Sequence, residues 1–209
     1  MHMIREPLLT TVAITDLRPT QITVGMREVM AKRKRWRETG TTKGRKFLGK
    51  HMIPVILGPK RRHFVIDHHH LALALHEEGV SDLAVTVVAN LSRLESDEFW
   101  TVMDNHGWMH PFDAKGRRRH YGDIPKSVTA MVDDPYRSLA GELRRVGGFA
   151  KDTMPFSEFV WADFLRRRVK QRMVEQDFDR AMEMALKLAK SSDADYLPGW
   201  CGPVPDDDR

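Results

Sequence analysis

His63-Phe-Val-Ile-Asp67-His68-His69-His70-Leu-Ala-Leu-Ala-Leu-His76 is the stretch that decides how this chain is read. An apolar, β-favouring run ends at Asp67, three histidines follow, and a helical run from Leu71 to Glu78 stops at Gly79. The pattern predicts a strand over 63–66 and a helix over 69–78, joined by a polar elbow. A helix start presents unpaired N–H groups and the positive end of the helix dipole at one point, which attracts anions, phosphate above all. Three imidazoles crowded there can donate hydrogen bonds or titrate near neutral pH. Asp67 has two readings: the N-cap of the helix, or a carboxylate that positions a substrate hydroxyl or a magnesium ion.

Outward from the elbow, further strands are predicted over Leu8–Ile14, Met52–Leu57 and Leu83–Ala89. The second of these and the strand before the elbow form a hairpin through Gly58-Pro59-Lys60-Arg61-Arg62. Thr15–Pro19 reads as a turn or short helical entry. A helix over Val24–Arg37 is followed by a polar, mobile loop from Gly40 to Gly49. After residue 92 the pattern turns helical. One helix starts at Ser96 and stops at Gly107, a second runs from Tyr136 to Val146, and the longest pattern spans Ser157–Lys190. The expected organisation is an α+β domain over 8–92, a helical region over 93–197 packed on it, and a flexible tail over 198–209 rich in Pro, Gly and Asp.

The net charge of +5 is unevenly spread. Residues 26–62 hold 13 Lys/Arg against 2 Asp/Glu, and the remainder holds 21 against 27. That segment is a candidate phosphate-attracting or nucleic-acid-attracting patch, and equally a solvated helix and loop. No apolar run approaches the length of a membrane span. The single cysteine, Cys201, cannot form an internal disulfide and points to a reducing cytoplasm. No nucleotide-binding glycine motif and no nucleophile-elbow motif occurs, and no His, Asp or Glu spacing argues for a metal. Trp100, Trp108 and Trp161 read as core, and Arg117–Arg119 as a solvated loop.

Two tracts carry a resemblance. Leu17-Arg18-Pro19-Thr20-Gln21, followed by Val24-Gly25-Met26-Arg27-Glu28, resembles the Pro-x-Gln opening of ParB-like domains. Val65 to Ala74 falls on the anion-binding elbow of the ParB/sulfiredoxin-like superfamily, where partition proteins read G-E-R-R-x-x-A and related amino-acid kinases D-G-H-x-R. Asp67, His69 and Ala74 match, His68 replaces Gly, and Leu71 replaces the phosphate-contacting Arg. The chain therefore resembles the ParB-like nuclease group over residues 8–92, and the tract from Trp100 to Trp161 extends the likeness. The residues give the nuclease label little chemical support. Sulfiredoxin chemistry needs an elbow cysteine and is excluded.

The resemblance implies a small mixed sheet with helices and a phosphate-handling elbow, with ATP or ADP and magnesium as candidate cofactors. The leading expectation is a small-molecule enzyme of phosphotransferase or hydrolase type. Asp67 or Glu28 would be its general base, His69 and His70 phosphate or oxyanion donors, and Arg27 a clamp. Gln21, Lys32 and His68 complete the phosphate-binding candidates, although Gln21 falls near the expected acidic base and cannot act as one. The alternatives are a partition-type module that binds DNA weakly through its basic segment, and a ligand-binding protein without catalysis.

Overall fold

Strand β1 (Leu9–Ala13) is joined to β2 (Leu17–Pro19) by one helical turn, Ile14–Asp16, and that short link shapes the first half of the molecule. The computed structural model describes residues 9–50 and 52–203, with only the backbone described at 9 and 39–50. The sheet runs β1-β6-β4-β5-β2, where β4 is Ile53–Leu57, β5 is His63–Val65 and β6 is Asp82–Asn90. The two strands nearest in sequence are thus the two edges. Laid flat, those edges would lie about 19 Å apart, four spacings of about 4.8 Å. Four residue steps from Ala13 to Leu17 reach at most about 14 Å. The sheet must therefore curl.

Pairing is mixed: β1–β6 and β4–β5 are antiparallel, and β4–β6 and β2–β5 parallel. In the β2–β5 register Leu17 faces His63 and Pro19 faces Val65, so both strands run toward the elbow together. Helix α2 (His69–Glu77) follows, with Leu71 to Leu75 all at most 4% exposed. A helix that is apolar on every side has to be enclosed. It ends where the sequence places its stop: Gly79 has φ +77°, and Val80 N–H donates to Leu75 O at 3.0 Å.

Helix α1 (Met26–Lys50) begins after the short strand β3 (Thr23–Val24). It runs on through residues 40–49, where a loop was expected. Gly40, Gly44 and Gly49 each cost about 1 kcal/mol against Ala, but extending an existing helix orders only one residue per added bond. Helix α3 (Ser96–Asn105) starts at Ser96, where the sequence places it, with Glu95 at the N-cap position. The Glu95 carboxylate caps the first turn while Glu98 Oε2 accepts the Glu95 N–H at 3.1 Å.

Within the described residues the chain divides into two compact units. The first holds the residues up to Val24, Glu28–Asp113 and Arg117–Val132; the second holds Gly25–Arg27, Ala114–Gly116 and the residues from Asp133. Strand β7 (Val132–Asp133) stands at their junction in sequence. The second unit is built from α4 (Pro135–Arg145), α5 (Ser157–Arg166), α6 (Gln171–Gln176) and α7 (Phe178–Ala189) around Trp161, Leu139 and Leu143. The single pattern expected over Ser157–Lys190 is thus three helices. It breaks where Val169 turns inward, 2% exposed, and where Asp177 caps α7 by accepting Arg180 N–H at 3.3 Å. Near the tail, Trp161 Nε1 donates to Pro198 O at 2.8 Å and Ala150 N–H to Gly199 O at 2.7 Å.

Candidate functional site

The elbow lies in the first unit, and its backbone is unusual. His68, not Asp67, occupies the N-cap position of α2, in the left-handed region with φ 65°. Asp67 is exposed, and its Oδ1 accepts the His68 N–H at 2.6 Å, so the carboxylate stabilises the turn rather than the helix start. The reason is geometric. A left-handed residue between aspartate and helix directs the carboxylate to its immediate neighbour, out of reach of the N2 and N3 amides that a cap would bind.

The three histidines divide by environment. His68 is exposed and His70 half-buried. His69 is 4% exposed, and its Nε2 accepts the Thr20 backbone N–H at 3.2 Å. Thr20 Oγ1 in turn donates to Val65 O at 2.7 Å. One threonine therefore ties the end of β2 to both the end of β5 and the first turn of α2. A neutral His69 with the proton on Nδ1 satisfies this geometry.

His70 meets an acid. Its Nδ1 lies 3.5 Å from Glu28 Oε2, and Glu28 Oε1 lies 3.1 Å from Lys32 Nζ, one helical turn further along α1. Of the residues singled out in the sequence, Glu28, Lys32 and His70 are thus brought together, with side chains between 12% and 37% exposed. Gln21 is 5% exposed and donates its amide to Thr23 O at 2.8 Å, which shapes the loop after β2. Arg27 falls in the second unit, where its guanidinium lies 3.6 Å from the Phe178 ring centre and its N–H donates to Ser138 Oγ at 3.2 Å. Leu71, in place of the family arginine, is 4% exposed.

Over residues 26–38, where the side chains of the basic helix are described, several of its cations pair with acids. Arg33 pairs with Glu77 and Glu78 at 2.8 and 2.7 Å, and Arg37 with Glu78 at 2.6 Å. Hydrogen bonds from Arg37 and Arg33 hold the Glu78 carboxyl down to about 2. Among the described residues, no group of three or more His, Cys, Asp or Glu is placed to hold a metal, and no helix is long and apolar enough to cross a membrane.

Thr20 was not foreseen as the partner of His69. A hydroxyl residue immediately after a predicted strand carries no signal of its own, since its role depends on a contact 49 residues away. Nor was the gathering of Arg18, Arg61, Arg62 and Lys126 around one cavity. Lys60 and Arg61 at the turn positions that favour Gly or Asn were its one visible sign.

No curated protein matches the chain. A solved structure does: the crystal structure of protein Atu1540 from Agrobacterium tumefaciens, 55% identical, with TM-score 0.88 over 95% of this chain and 100% of that one. The family model described as "Putative ParB-like nuclease" matches residues 10–167. That match covers more than half of the sequence and spans both tracts that carried the resemblance, so the chain belongs to the ParB-like nuclease family.

Proposed function

We propose that the protein is a small-molecule enzyme that handles a phosphate-bearing substrate at the elbow, with His70 as the group that takes up and returns a proton. The observation that carries this reading is the His70–Glu28 contact at 3.5 Å. A carboxylate beside Nδ1 favours the tautomer with its proton on that nitrogen, which leaves Nε2 to accept a proton from a substrate hydroxyl. Apo geometry of this kind is often loose and tightens when substrate binds. Glu28 then acts by orienting His70, and Lys32, 3.1 Å from the other oxygen of Glu28, holds that carboxylate in place. His69 is a positioning residue, holding the elbow against β2 through Thr20.

Asp67 bears on the choice of cofactor. An exposed carboxylate beside the helix start repels a bare phosphate, whereas Mg²⁺ commonly takes one or two carboxylates together with phosphate oxygens. The donor set therefore suits magnesium-bound phosphate, as in ATP or ADP, held by Asp67 with His68 beside it. When bound, the metal would neutralise phosphate charge.

The test is turnover of phosphate donors with small hydroxyl acceptors, amino acids included. His70→Ala should lower kcat by about 10²-fold or more with the fold intact, the usual worth of a positioned acid or base. Glu28→Gln should lower kcat at nearly unchanged KM, as expected for a group that orients His70 without touching substrate. Full activity in His70→Ala would remove the proposal.

A further inference from the structure

At the other end of β2 and β5 from the elbow, the first unit has a cavity of about 460 Å³. Arg18, Arg61, Arg62, His63 and Lys126 line it, and Asp16 is its one acid. A crevice of about 210 Å³ adjoins it, sharing Arg18, Arg62 and Lys126. No acid lines the crevice; its walls include Phe64, Phe99, Trp100, Tyr121 and Ile124. The aromatic wall is ordered. Trp100 stacks on Tyr121 with ring centres 5.6 Å apart and stands edge-on to Phe64 at 5.4 Å and Phe99 at 5.1 Å.

Two further features mark the groove as built. Lys60 and Arg61 both adopt φ 56°, a left-handed conformation costing a residue other than glycine roughly 1–2 kcal/mol. The turn is locked by Gly58 N–H to Arg62 O at 2.8 Å. Gly58 seats it: a Cβ there would lie 2.6 Å from Phe64 and 2.7 Å from Phe99 ring carbons. The cations are also crowded. Burial and the neighbouring Arg62 lower the Arg18 pKa, and burial with Arg61 lowers that of His63. In contrast to Arg33 and Arg37, no ion pair neutralises Arg18, Arg61, Arg62 or Lys126 among the described residues. Strain and like charge that Asp16 offsets only in part both cost stability, and an anionic ligand would recover the second cost.

We propose that this groove is a second ligand site, which takes a nucleoside monophosphate with its phosphate in the cationic bowl and its base in the aromatic crevice. A phosphate dianion matches several guanidiniums through charge-assisted hydrogen bonds, and a flat ring matches an aromatic wall. Both volumes are of small-molecule scale. Arg18, Arg62 and Lys126 stand where bowl and crevice meet, with Arg61 and His63 in the bowl alone, a span of small-molecule size that suits one nucleotide better than a strand.

Titration calorimetry on the full chain with AMP, adenosine, inorganic phosphate and an eight-residue oligothymidylate tests this. AMP should bind at least about tenfold more tightly than adenosine or phosphate, since each lacks one half of the match. Arg62→Glu and Lys126→Glu, both exposed positions, should each weaken AMP by about tenfold or more with unchanged circular dichroism. His70→Ala should leave AMP affinity unaltered, which separates this site from the elbow. Equal affinity for AMP and phosphate would overturn the proposal. So would loss of AMP binding in His70→Ala, or oligothymidylate binding about tenfold more tightly than AMP, which would mark a nucleic-acid surface instead.

Discussion

Strands β2 and β5 run parallel, and their two ends have opposite chemistry. At the end they run toward stand Asp67, Glu28 and three imidazoles, with Thr20 and His69 binding the strands to α2. At the end they run from stand Arg18, Arg61, Arg62 and Lys126 beside an aromatic wall. Of the cations in the basic segment, Lys32 reaches the elbow, paired with Glu28, whereas Arg61 and Arg62 line the cavity at the other end. The described part of α1 directs Arg33 and Arg37 to Glu77 and Glu78 at the far end of α2, and Lys32 to Glu28. Arg18 on β2, Arg61 and Arg62 on the β4–β5 turn and Lys126 make no ion pair among the described residues, and Asp16 is the one acid lining their cavity. Local charge density in a sequence therefore says little about surface potential until the acids from other segments are in place.

Several experiments would break or sharpen this contrast. The largest effect belongs to the elbow: His70→Ala should cost about 10²-fold or more in turnover, while His76→Ala, about two turns further along α2, should cost little, because helix-start effects fade within the first turn. Equal losses in both would make the elbow histidines structural. His69→Ala tests the brace. It removes a buried ring and leaves the Thr20 N–H without its acceptor, so chemical denaturation should show a loss of roughly 2–4 kcal/mol. A stability equal to wild type would mean that His69 is not what holds the elbow.

At the groove end, Gly58→Ala forces a methyl group against Phe64 and Phe99 and should destabilise by about 1–3 kcal/mol. Tryptophan fluorescence should change with it through Trp100. An unaffected melting temperature would show that the turn can lift away, and the groove would not be rigid. The smallest effect concerns Glu78, whose carboxyl is held at about 2 against an ordinary 4.5. A depressed acid contributes stability in full above its unfolded value, and loses it as pH falls toward the folded one. The melting temperature of Glu78→Gln should therefore fall less than wild type between pH 4.5 and about 2, most clearly at low salt. Identical acid limbs would mean that the pairs to Arg33 and Arg37 are too weak in solution to neutralise α1.

Much of the first unit was legible from residue order. The run from His63 to Gly79 specified a strand, an elbow and a helix with its stop, because β-branched composition, five consecutive small or aliphatic residues and a terminal glycine act over short range. What failed, there and in the second unit, failed for identifiable reasons. Asp67 is the residue type of an N-cap, but His68 takes the left-handed conformation between it and the helix. Gly40 to Gly49 has loop composition inside a helix. Ser157–Lys190 has continuous helical periodicity, yet Val169 and Asp177 interrupt it, and neither is a Gly or Pro. The strands β2 and β3 are too short to show a period at all.

The elbow itself, its three histidines and the family were determined by sequence alone, because each depends on neighbours within about ten residues or on motif identity. Which histidine is buried against Thr20, and which faces Glu28, was decided only by tertiary structure. Thr20 and Glu28 lie 49 and 42 residues from their partners, and the burial that separates His69 from the half-buried His70 is set by the curled sheet. The groove is more dependent still. Its cations come from β2, from the β4–β5 turn and from the loop at Lys126, and only the pairing of β2 with β5 and the packing of α3 bring them to one aromatic wall. Short-range preferences select the elements, but the charge and chemistry of a surface follow from contacts that only the closed fold makes.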